Sequence, residues 1–380
     1  MVGAGFGAVN GDLRWPASQA FINAYIAATA SGAPGQYASE LVAYMQQLQP
    51  GGGTPSYTQA LAAFQSLTLP QQLPLLAQVL SDELSATGLA HTLHGASYQP
   101  GYTAIDTLFP TADAQGKPIT YQGDIDMFFS QVKTEQGGNI NLLAPGGSVL
   151  VGVPNPPASL TILKQGNAPF VAAAANLGLL VLGEGAIEGF ADQSFEVNTS
   201  RILTLEGGDI ILWASNGDID AGRGAKSASG APPPVIQTDA RGNVFVNPIN
   251  DVSGSGIGQL LTGPDETPGL VNLIAPKGTV NAGEAGIRVA GNLNIAAVQV
   301  IGASNIQVSG TATGVPVSEA GALAGAMSGA NALGGASQST LEQLAQDVGA
   351  AANYQQLTES LQPTFIVVKM FCLGTECEQH

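Results

Sequence analysis

Three kinds of hydrophobic spacing follow one another along the chain. From residue 15 to about 95, apolar residues recur at helical intervals. Phe21, Ala24, Tyr25 and Ala28 fall at i, i+3, i+4 and i+7, as do Leu41, Tyr44, Met45 and Leu48. Leu61, Phe64 and Leu67 continue the spacing. The last helix is best marked: Pro70 suits a first turn, Leu73, Leu76, Leu80 and Leu84 form a stripe, and Gly88 is placed to cap the end. Breakers at 31–35 and 50–55 supply the connections. The pattern predicts a bundle of about four helices in a helical subdomain, residues 1–118.

Between residues 119 and 310 the period changes to two. Three segments align without gaps: 137–152 (GGNINLLAPGGSVLVG), 207–222 (GGDIILWASNGDIDAG) and 268–283 (PGLVNLIAPKGTVNAG). Ile140, Ile210 and Val271 share one place, Leu142, Leu212 and Leu273 the next but one, then Ala144, Ala214 and Ala275. Val149, Ile219 and Val280 resume the alternation after a glycine turn at Gly147, Gly217 and Gly278. Period two means strands with one face inward. Such a unit cannot bury its apolar face alone and must stack on its copies. The reading is a mainly β chain whose 119–310 region is a right-handed parallel β-helix, with a β-sandwich as the competitor that the ungapped register disfavours. Coils of roughly 20 residues put about three in each interval and about nine in all. Leu143, Trp213 and Ile274 face outward between the inward columns. They are either covered by helices or form an exposed docking stripe.

Past residue 310 small residues dominate, which predicts a linker over 311–340. Leu341, Leu344, Ala345 and Val348 mark a C-terminal helix to about residue 361, and a strand at 364–371 (TFIVVKMF) leads to Cys372 and Cys377. Residues 341–380 thus form a helix, a strand and a cysteine-bearing end.

Charge narrows the function. With 28 acids, 11 bases and a net charge of −17, and no Lys or Arg between Arg14 and Lys117, the chain is no nucleic-acid binder. The longest apolar run, 170–183, is too short to span a membrane and reads as core. The opening MVGAGFGAVNGDL lacks the basic and apolar regions of a signal peptide. The chain is then either cytoplasmic or a piece of a longer exported protein. Fifty glycines and few lysines favour the second.

Parallel β-helices often carry polysaccharide lyases and hydrolases, so a β-helical carbohydrate-active enzyme is the alternative reading. Its acids would be Asp209, Asp218 and Asp220 beside Arg223. Yet the sister copies replace Asp209 by Asn139 and Leu270, and Asp218 by Ser148 and Thr279, as turn positions allow. His91 and His94 sit three apart without a local carboxylate to complete a metal site. No catalytic, metal or cofactor-binding residue is predicted. Cys372 and Cys377 can close a small disulfide loop or remain reduced thiols.

The glycine-punctuated GGDIxLxAxxGxIxAG coils, the helices ahead of them and the terminal cysteine pair resemble the C-terminal region of filamentous-haemagglutinin-like exoproteins. The resemblance implies a large surface adhesin exported by two-partner secretion, secreted and held at the cell surface in association with the outer membrane. It implies an upstream part with the signal peptide, an outer-membrane secretion pore as partner, and a polysaccharide or host-surface ligand in cell or biofilm attachment. It also implies that Cys372 and Cys377 form a disulfide hook that retains the protein at its pore. Thr311, Ala312, Thr313 and Gly314 approximate a proteolytic release site known in related biofilm adhesins, departing from it at the third residue.

Overall fold

The computed structural model of the chain describes residues 2–3, 17–27, 34–49, 51, 53–113, 115–155, 160–162, 170–172, 175, 177–224, 235–238, 244–247, 254–263 and 265–316. Residues 1–316 cluster as one compact unit and 317–380 as another. The predicted helix at 341–361, the strand at 364–371, Cys372, Cys377 and most of the 311–340 linker lie outside the described residues.

Five helices come first: α1 (Ser18–Phe21, running into a π-helical turn, Ile22–Ile26), α2 (Ala38–Leu48), α3 (Tyr57–Ser66), α4 (Leu69–His94) and α5 (Gln99–Leu108). Local chemistry sets the ends of α4. Gln71 Oε1 accepts from Thr68 N and Oγ1 at 3.1 and 2.8 Å, closing a capping box. Gly95, at φ 66°, ends the helix in the left-handed conformation. Gly88 is therefore interior to α4 and not its cap. The fifth helix escapes the periodicity because Pro100 and Gly101 read as breakers, although Pro is compatible with a first turn. Phe21, Ile22, Leu41, Met45, Phe64, Leu76 and Leu80 are buried together between the helices.

Parallel sheet dominates the rest of the described chain, beside two hairpins, an antiparallel bridge (Ala112 with Pro118) and a short 3-10 helix (Ala303–Asn305). One stack of strands runs β1 (Val2–Gly3), β4 (Ile140–Ala144), β9 (Ile187–Ala191), β12 (Ile210–Ala214), the first half of β17 (Leu270–Asn281), β19 (Asn292–Ile301) and β21 (Ala312–Thr313). A second runs β2 (Ile125–Asp126), β5 (Val149–Leu150), β10 (Phe195–Glu196), β13 (Ile219–Asp220) and the second halves of β17 and β19. Because β17 and β19 run through both, these stacks make one eleven-stranded sheet. A six-stranded sheet holds β3 (Gln131–Thr134), β8 (Gly178–Val181), β11 (Arg201–Leu205), β16 (Gly256–Leu260), β18 (Ile287–Val289) and β20 (Ile306–Val308). Two parallel sheets visited in this repeating order are compatible with a parallel β-helix.

Leu142, Leu212 and Leu273 are fully buried in the core between the sheets. Paired residues of successive levels lie 47 (Asn141–Glu188), 24 (Ser194–Asp218), 61 (Asp220–Asn281), 22 (Asn272–Asn294) and 19 (Asn292–Thr311) positions apart. One level thus takes 19–24 residues, and the two larger spacings hold the hairpins β6–β7 (Leu160–Ile162 with Phe170–Ala172) and β14–β15 (Val235–Thr238 with Val244–Asn247). The expected three coils per interval are not there. One level, β9 to β11, separates the first two repeat copies, and the second copy pairs directly with the third. The intervening level hides from alignment because Gly189 replaces the inward leucine. A Cβ there would lie 2.7 Å from Phe195 Cζ, so the phenylalanine from the neighbouring stack fills that space.

Candidate functional site

The outward residues of the first stack converge on one feature. Leu143, Phe190, Trp213, Ile274 and Ala296 pair in register into a single column, and all are at most 4% exposed. Helices α4 and α5 cover them. Gly88 meets Ile274, Gly101 meets Trp213, and Tyr98 and Tyr102 stand edge-on to the indole at 6.0 and 5.5 Å. Trp213 Nε1 donates to Ser215 Oγ at 3.0 Å, and Tyr102 Oη donates to the Ser215 carbonyl at 2.9 Å. The predicted stripe of Leu143, Trp213 and Ile274 is brought together, but beneath helices and not on a free surface.

Helix α4 can lie this close because its sheet side is small. Ala77 and Ser81 adjoin Asn141 and Glu188, Ser85 adjoins Asn272, Gly88 adjoins Ile274, and Thr92 adjoins Gly314. From Ala77 to Thr92 the helix rises about 22 Å. Four to five strand spacings cover about 19–24 Å. The helix therefore runs along the stack and crosses its strands one after another.

Beside the apolar column runs one that the sequence reading missed, polar at every level but that of Ile211: Asn141, Glu188, Ile211, Asn272 and Asn294. Asn294 Nδ2 donates to Asn272 Oδ1, and Asn272 Nδ2 donates to the Ser85 carbonyl at 2.9 Å. Asn141 Nδ2 donates to Glu188 Oε2. The Ser81 hydroxyl is buried without a hydrogen-bond partner beside a cavity that has room for about one water molecule. Burial, and then the Asp82 carboxylate, push the Glu188 carboxyl up to about 8 against the Asn141 hydrogen bond. Asp82 is itself raised to about 6, by burial first and then by Glu40, Asp209 and Glu83. Aligning 187–191 with the repeat copies is the signal that would have placed Glu188 opposite Asn141.

The acids offered for the enzyme reading do different work. Asp124 Oδ1 accepts from Ser148 N, Ser148 Oγ from Ser194 N, Ser194 Oγ from Asp218 N, and Asp218 Oδ1 from Thr279 N. A second ladder uses Asn139 to Ala186 N, Asp209 to Leu270 N and Asn292 to Thr311 N. Asp220 accepts from Gly222 N and Asn281 Nδ2. Each side chain holds a backbone amide, usually of the next level; Asp209 and Asp218 stand just before β12 and β13, and Asp220 ends β13. Among the described residues no group of three His, Cys, Asp or Glu could hold a metal ion. His91 stacks on Tyr98 at 3.9 Å with Nδ1 2.7 Å from the Ala96 carbonyl.

Thr311, Ala312, Thr313 and Gly314 form the last described level. Ala312 and Thr313 pair with Leu293 and Asn294, and all but Thr313 are exposed. Residues 207–317 match the family described as filamentous haemagglutinin family outer membrane protein. This stretch is filamentous-haemagglutinin-like.

The haemagglutinin-like region runs from the turn before β12 to just past β21 and holds two of the three repeat copies. Trp213, Ile274 and 311–314 lie within it, and α1–α5 lie outside. It supports an adhesin-like surface protein with outer-membrane association. No helix among the described residues is long and apolar enough to cross a membrane. No curated protein and no solved structure matches the chain.

Proposed function

We propose that this chain is the structural C-terminal part of a secreted adhesin, retained at the cell surface and serving cell or biofilm attachment. The observation that carries the reading is the haemagglutinin-family match across the levels from β12 to β21. Its parallel strands wind as a right-handed parallel β-helix, capped along one side by a helical bundle. Length built from repeating levels suits a fibre, since each level contacts only its neighbours and can be repeated without a new fold. Asp209, Asp218 and Asp220 each hold a backbone amide, which fits a scaffold role.

Retention rests on Cys372 and Cys377. In an oxidising compartment the pair closes a small loop. An extended strand threads a narrow outer-membrane secretion pore, whereas a closed loop is wider and cannot be straightened without reduction. Everything upstream is exported before the loop engages. Cleavage at 311–314 releases the protein once Ala312 and Thr313 peel from Leu293 and Asn294. The test is Cys372→Ser in the intact exported protein, comparing cell-bound with released material. Release into the medium with secretion intact is expected; unchanged retention overturns the hook.

A further inference from the structure

One carboxyl lies beneath α4 at the level of β9. Glu188 is 7% exposed, and its in-register neighbours are Asn141 on β4 and Ile211 on β12. The charged groups that face it are all acids. Asp82 acts on it from α4 and Asp209 from just before β12, while Glu40 on α2 and Glu83 on α4 act in turn on Asp82. Glu83 is held by Tyr37 Oη and Gln36 Nε2 at 2.7 and 2.9 Å, and Asp209 by the Leu270 amide at 2.6 Å. The helices bring no Lys or Arg, since none occurs between Arg14 and Lys117. His91 begins the basic end of α4, about 15 Å along the helix from Ser81. Lys133, Arg201 and Arg288 lie on the six-stranded sheet, and Lys277 bonds Asn216 beyond the end of β12. A buried carboxyl with only acids around it is held as the neutral acid.

The neutral form also fits the hydrogen bonding. Asn141 Nδ2 donates to Glu188 Oε2, which makes that oxygen the carbonyl and leaves the proton to Oε1. Glu188 and Asn141 line one cavity with Ser81 of α4, whose hydroxyl is buried without a hydrogen-bond partner. The cavity has room for about one water molecule, and these three side chains supply the polar partners that a buried water needs. Its other walls include Leu143 and Phe190 of the apolar column.

We propose that Glu188, one buried water and Ser81 form a proton-dependent clasp between α4 and the sheet. Glu188 Oε1–H donates to the water, and the water donates to Ser81 Oγ. Loss of the proton removes the first donor, leaves a charge beside Asp82 and loosens α4 over Leu143 and Phe190. The carboxyl is raised from 4.5 to about 8 by its burial, so the clasp is complete below the lower value and weakens as pH rises towards the upper one.

Hydrogen exchange of the full chain between pH 5 and 8, corrected for the intrinsic rate, tests this. Protection of α4 should fall by up to about tenfold per pH unit for each proton released on opening, while β11 on the other sheet keeps its protection. Glu188→Gln, whose amide still donates, should remove most of the fall. Asp82→Asn should shrink it without touching a residue that lines the cavity. Ser81→Ala should open α4 several-fold more readily at pH 5, because the water loses a partner; in a dry cavity, removing an unpaired hydroxyl would leave α4 as protected as before or more so. The clasp is overturned by α4 protection that does not fall with pH, by a fall that Glu188→Gln or Asp82→Asn leaves unchanged, or by β11 falling in step with α4. Ser81→Ala that does not loosen α4 overturns the bridging water.

Discussion

Gly101 on α5 lies so close to Trp213 on β12 that a Cβ there would sit 2.6 Å from indole Cη2. The indole cannot retreat: it is fully buried and its Nε1 is held by Ser215. Gly101→Val should therefore lower stability by about 1–3 kcal/mol despite the better helix propensity of valine. Trp213→Ala should cost about 3–5 kcal/mol. Denaturant unfolding measures both. A neutral Gly101→Val would mean that α5 does not press on the indole.

In the core between the sheets, Leu212→Ala should cost about 2–5 kcal/mol. The neighbouring Gly189 gives the opposite test. Gly189→Leu adds bulk where Phe195 Cζ already fills the space, so it should destabilise by about 1–3 kcal/mol. A stabilising Gly189→Leu in thermal unfolding would show that the level is underpacked.

The turn ladders predict a stability effect with no catalytic signature. Asp218→Ala frees the Thr279 amide and should cost about 1 kcal/mol, while Asp218→Asn keeps an acceptor and recovers most of it. Equal losses in the two variants, read from urea midpoints, would point to the charge and not the hydrogen bond.

Glu188 gives stability a pH slope. Its folded carboxyl is raised from 4.5 to about 8, so the native state holds the proton more tightly than the unfolded chain. That contribution is fully present below the unfolded value near 4.5 and is lost as pH rises towards 8. Asp82, raised to about 6, acts with the same sign over the lower part of that range. Glu188→Gln should flatten the curve between pH 5 and 8 and gain on the native protein as pH rises. Parallel curves for the two proteins in denaturant titrations would sink this.

The sequence by itself determined the alternation. Three copies with leucine and alanine at fixed offsets require strands with one buried face, and the turn role of Asp209 and Asp218 follows from their replacement by Asn139, Leu270, Ser148 and Thr279 in the sister copies. It also determined most of the helices, since apolar stripes at helical spacing have no other stable use. What the tertiary structure decided is which level lies beside which. Parallel strands pair in space and a link of any length can join them at a small entropic cost, so 61 residues separate direct neighbours and 22 do so equally well. Neither spacing alone gives the number of levels. Close approach was equally hidden: Gly88 and Gly101 look like breakers, and only the opposing Ile274 and Trp213 show why a side chain is missing there. The burial of Glu188 under α4 was hidden too, because burial depends on what lands on a face and not on the strand that presents it.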